Sequence, residues 1–109
     1  MPFRNLPIEN AELLSSLVEI HPQHVSSMGL TKDAGFDMTL LAFADGESVS
    51  EEEYFGDTLY YLVEGNAVIV FADKRVPVQT GEVLMVPAHV SHAIEGLEDC
   101  AFKVLQINL

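Results

Sequence analysis

The chain has 109 residues, 49% of them hydrophobic, and sets 5 basic residues against 17 acidic ones for a formal net charge of −12. That length predicts one domain around one core, and that charge repels phosphate backbones and anionic bilayers, which excludes nucleic acid and membrane surfaces as partners. The apolar content is high for so small a chain, so part of it is expected to be covered by a second copy in a homodimer.

In chain order, Met1–Asn5 lacks the charged-then-apolar pattern of a secretory signal, and no apolar stretch approaches the length of a membrane span. A cytoplasmic protein is the expectation. Asn10–Glu19 predicts a short helix: Asn10 caps it, Glu12 lies in its first turn, and Leu13, Leu14, Leu17 and Val18 share a face. Pro22 ends it. Residues 1–24 thus read as an N-terminal arm and 25–109 as a barrel.

From Val25 the chain alternates strand-forming runs with turn residues. The expected strands are Val25–Thr31, Phe36–Ala44, Leu59–Val63, Ala67–Ala72, Val76–Gln79, Val83–Val86, His92–Glu95 and Ala101–Asn108. Glycine-containing turns separate many of them, as at Asp45-Gly46, Glu64-Gly65-Asn66 and Thr80-Gly81. Short, evenly spaced strands with little helix predict an all-β sandwich or barrel. Cys100, the only cysteine, excludes an intrachain disulfide; at the head of an apolar run it reads as a buried, inert thiol.

Two segments carry chemical information. The first runs from Gly46 to Gly65 and holds Glu52, Tyr54 and Thr58; the second runs from Gly81 through Pro87 and His89 to His92. Together they resemble the cupin superfamily, whose first motif is G-x5-H-x-H-x3,4-E-x6-G and whose second contains G-x5-P-x-G-x2-H. Gly46 and Gly65 fall on the outer glycines of the first, and Gly81, Pro87 and His92 on the second. The resemblance implies a jelly-roll barrel, a double-stranded β-helix. It departs from the family at the metal-binding set: Glu52 and Tyr54 stand at the two histidines, Thr58 at the glutamate, and His89 at the second motif's glycine.

In that register Glu52, Tyr54, Thr58 and His92 face a pocket, with Tyr60 and Leu62 deeper. Asp57 reaches the rim only if Phe55-Gly56 forms a bulge. A divalent metal, if bound, takes Glu52 and His92 with Asp57 and His89 as further donors, but three or four converging ligands are needed. Without metal, Glu52 and His92 form a candidate acid–base pair, and are the candidate catalytic residues. Sugar nucleotides, which some cupins process, are disfavoured because Arg4, Lys32, Lys74, Arg75 and Lys103 are the only cations in the chain. The leading expectation is therefore a small-molecule-binding barrel. A metal-dependent oxygenase or isomerase, or a metal-free isomerase, is the alternative, and a purely oligomerising module explains least.

Overall fold

The computed structural model describes residues 2–109. Among the described residues nine strands form, in the order β1 (Val25–Gly29), β2 (Asp37–Phe43), β3 (Ser48–Glu52), β4 (Thr58–Glu64), β5 (Asn66–Val70), β6 (Arg75–Gln79), β7 (Val83–Val86), β8 (His92–Gly96) and β9 (Phe102–Asn108). They pair antiparallel into a five-stranded sheet, β1-β2-β9-β4-β7, and a four-stranded sheet, β3-β8-β5-β6. Eight strands match the expected runs to within two residues at either end. The ninth, β3, lies in the acidic stretch that the β-propensity reading passes over.

The core follows from period-two alternation. Along β4, Thr58, Tyr60 and Leu62 are buried while Leu59, Tyr61 and Val63 are half-buried on the other face. The inward residues of both sheets meet in one cluster containing Phe43, Tyr60, Leu62, Ile69, Val86, Ile94, Phe102 and Val104. Phe43 and Phe102 are paired across β2 and β9, and their rings stack at 4.3 Å. Such a pair contributes about 0.5–1.5 kcal/mol beyond its burial. Gly65 turns β4 into β5 at φ +83°, a conformation that costs a side-chain-bearing residue energy.

A second cluster lies on the outer face of the five-stranded sheet, where the arm packs Leu6, Leu14, Leu17, Val18 and Ile20 against Leu30, Leu40 and Ala42. The helix expected over Asn10–Glu19 is a single 3-10 turn, Leu14–Leu17, and no side chain caps it. The arm instead follows the sheet, bridging Phe3 to Thr31. Leu14, Leu17 and Val18 pack on the sheet, but Leu13, expected on the same face, is 76% exposed, and so few residues gain little from helix formation alone. Cys100 is exposed rather than buried, because it follows the Leu97–Asp99 turn before β9 enters the barrel. Among the described residues no helix is long and apolar enough to cross a membrane.

Candidate functional site

The β3–β8 ladder slips between Val49, opposite Ile94, and Glu52, opposite His92. Strict alternation would turn Glu52 away from the face that Val49 occupies. The irregularity restores it to the same side as His92, since directly opposed residues share a face. The carboxylate then stands close enough to Tyr60 to help hold its hydroxyl in the protonated form. Glu52 itself is exposed, at the opening, while Tyr54 just after the strand is half-buried.

Below them the barrel is closed by a chain of hydrogen bonds. His92 is 2% exposed, and its Nδ1 lies 2.9 Å from the Val90 carbonyl. A carbonyl only accepts, so Nδ1 carries the proton and Nε2 is left as an acceptor. The Tyr60 hydroxyl, 2.8 Å away, donates to it. The Gln106 amide nitrogen in turn donates to the hydroxyls of Tyr60, at 3.2 Å, and Tyr54, at 3.3 Å. Burial pushes the Tyr60 pKa well above the ordinary phenol value; the Gln106 amide opposes this, while Tyr54 and Glu52 add to it. Tyr60 therefore keeps its proton and remains a donor to His92. The rings of Tyr54, Tyr60 and Phe71 surround the imidazole, with centroids 5.9, 5.6 and 6.3 Å from it.

The other expected positions have structural partners. Thr58 is buried and donates to Asn108 Oδ1 at 2.7 Å, and Leu62 is fully buried in the core cluster. Thr58, Tyr60, Leu62 and His92 are thus packed interior, and a pocket lined by these side chains is not open. Asp57 Oδ1 accepts the Ala88 N–H at 2.9 Å, which pins the loop between β7 and β8. Phe55-Gly56 is not the bulge that would bring Asp57 inward. Gly56 is required because the Leu109 carbonyl occupies the space of a side chain. His89 adopts φ +65° at the place where the motif has glycine, its N–H donates to the Tyr54 carbonyl at 2.8 Å, and its ring stands edge-on to Phe55.

An open cleft of about 480 Å³ lies beside this closed interior, at the end of the barrel formed by the β5–β6 turn and the β7–β8 loop. Its walls are mostly apolar and include Phe71, Val76, Leu84 and Val90, with Asp73, Lys74 and Ser91 supplying polar groups. The Lys74 ammonium sits 5.4 Å from the Phe71 ring centroid. Phe71 and Val90 separate the cleft from His92: one ring faces the imidazole and the other residue's carbonyl fixes its tautomer. Neither Phe71 nor Gln106 was marked by the motif spacing. Gln106 had a signal in parity, as the polar member of the inward series Phe102, Val104, Gln106.

No family model matches the sequence. An uncharacterised protein of Methanocaldococcus jannaschii is 22% identical over 59 residues, covering 54% of this chain; the match spans about half the length of that curated relative, 47%. A crystal structure of a cupin superfamily protein from Desulfitobacterium hafniense is 50% identical with a TM-score of 0.94, covering 98% of this chain and 96% of that one. The chain belongs to the cupin superfamily. A Streptococcus pyogenes protein of unknown function has the same fold at 20% identity, with a TM-score of 0.90 and coverage of 100% and 94%.

As a cupin the chain has the barrel without the family's usual ligand set. Among the described residues no three His, Cys, Asp or Glu side chains converge as a metal site requires. Both ring nitrogens of His92 are engaged, the Thr58 hydroxyl serves Asn108, and the Asp57 carboxylate serves a backbone N–H. His89 lies outside, 3.6 Å from the Glu53 carboxylate. The donors present do not fit a divalent metal at the motif positions.

Proposed function

We propose that this cupin binds a small, mainly apolar organic molecule in the cleft between the β5–β6 turn and the β7–β8 loop. The observation that carries this reading is the contrast between two adjoining regions. The motif positions are packed solid, with Tyr60, His92, Thr58 and Leu62 at most 2% exposed, whereas the cleft beside them is open and about 480 Å³ in volume. That volume and an apolar wall interrupted by a few polar groups are characteristic of ligand sites. Phe71 offers a ring face, and Lys74 and Ser91 offer donors for the polar end of the molecule. The hydrogen-bonded interior then acts as a rigid floor that holds Phe71 and Val90 in place.

Catalysis by the Glu52–His92 pair is the alternative, and it requires substrate to displace Tyr60 from His92 Nε2. A fragment library observed by ligand-detected NMR, followed by titration of the hits, separates the two readings. Binders weakened at least ten-fold by Val76→Phe, which narrows the cleft, and indifferent to Glu52→Gln and Tyr54→Phe support the cleft. Binders with the reverse pattern place the ligand at the motif opening and refute it.

A further inference from the structure

Phe71 and Lys74 are the corner residues of the β5–β6 turn, which the Phe71 N–H closes by donating to the Lys74 carbonyl at 2.8 Å. They extend a ladder that pairs Ile69 with Val76 and Val70 with Arg75. Directly opposed residues share a face and successive ones alternate. Lys74 therefore belongs to the inward series of Val76 and buried Val78, and Phe71 to that of buried Ile69 and Ala67. The two consecutive cations of this turn differ accordingly. Arg75 takes the outer face and pairs with Glu95. Lys74 forms no ion pair among the described residues, and its ammonium lies over the Phe71 ring in the wall of the cleft.

We infer, resting on the cleft as the binding site, that its ligand is a monocarboxylate with an apolar body. The carboxylate accepts from the Lys74 ammonium, and the body lies against Val76, Leu84 and Val90. Leu84 and Val90 pack on the core cluster from one side and line the cleft from the other, so that wall is apolar and backed by packed structure. The chain has 17 acidic residues and 5 basic ones, yet this ammonium is left without a carboxylate at the edge of an apolar wall. A ligand's carboxylate completes it through a charge-assisted hydrogen bond, which also fixes the ligand's orientation. One cation selects one negative charge. Asp73 lines the same cleft, and together with a net charge of −12 it opposes dicarboxylates and phosphate esters.

The test is an NMR titration of the isotope-labelled chain with hydrocinnamate and isocaproate, the neutral amide of each, phenylpropylamine and phenylsuccinate. The expected result is that an acid of this panel shifts the amides of 71–76 and 84–91 and binds at least about ten-fold more tightly than its own amide. Lys74→Met removes that advantage and Lys74→Arg restores it; Lys74 is exposed, so neither variant disturbs the core. Val76→Phe weakens acid and amide alike. Acid and amide that bind equally well, both weakened by Val76→Phe, overturn the carboxylate and leave the cleft as the site. Tighter binding of the amine or of phenylsuccinate at these amides does the same. Shifts confined to the surroundings of Glu52 and Tyr54 refute the cleft itself, and the carboxylate assignment with it. No shift from either acid also overturns the carboxylate, and the fragment hits then decide the cleft on their own.

Discussion

Replacing the Tyr60 hydroxyl by hydrogen removes one oxygen and strands two partners: His92 Nε2 loses its donor, and Gln106 loses one of its two acceptors. A buried group left without a partner costs about 1–3 kcal/mol, so Tyr60→Phe is expected to lower stability by that amount in urea unfolding at neutral pH. The pH dependence of this difference has a definite sign. The folded-state pKa of Tyr60 lies above the ordinary 10.0, so above that pH the unfolded chain holds fewer protons at this site than the folded one. Stability then falls as pH rises, by up to about 1.4 kcal/mol per pH unit. The contribution is complete below pH 10 and declines above it. Because Tyr60→Phe lacks the titrating group but shares every other one, the gap between wild type and variant should stay constant through neutral pH and narrow above 10. A gap that widens there contradicts the assignment of Tyr60 as the protonated donor.

The loop between β7 and β8 makes a prediction at the level of the element. His89 sits at φ +65° where its relatives' motif has glycine, so its backbone carries a cost that the fold tolerates. His89→Ala and His89→Gly both lose the ring contact with Phe55, and differ in whether a Cβ remains in the left-handed region. Glycine is expected to be the more stable of the two by about 1 kcal/mol, read from thermal unfolding; equal stabilities would mean that the loop relaxes around the substitution. The same element explains what was legible in the sequence. Spacing from Gly81 through Pro87 to His92 located the loop and the buried histidine, because a ladder end and a turn leave compositional marks. Strand β3 left none: Glu51-Glu52-Glu53 has the composition of a solvated edge, and its pairing with β8 depends on an irregular register that no local pattern encodes. The arm misled in the opposite way, since leucines at helical spacing serve equally well in a segment that makes a single 3-10 turn as it lies on a sheet. Parity gave the inward direction of Tyr60 and Leu62, but not how tightly they pack, because inward residues of facing sheets fill one another's space.

At the scale of the whole molecule, charge is the dominant unsatisfied quantity. Seventeen acidic residues face five basic ones, and the Lys/Arg ion pairs among the described residues are Arg75–Glu95 and Lys103–Glu64. Pairs with exposed members contribute about 0–1 kcal/mol each, too little to offset repulsion spread over the surface. Raising ionic strength from about 10 mM to about 150 mM shortens the screening length from about 30 Å to about 8 Å, which relieves the repulsion more than it weakens two pairs. Potassium chloride is therefore expected to raise the melting temperature. A melting temperature that falls with salt would mean that the ion pairs outweigh the repulsion.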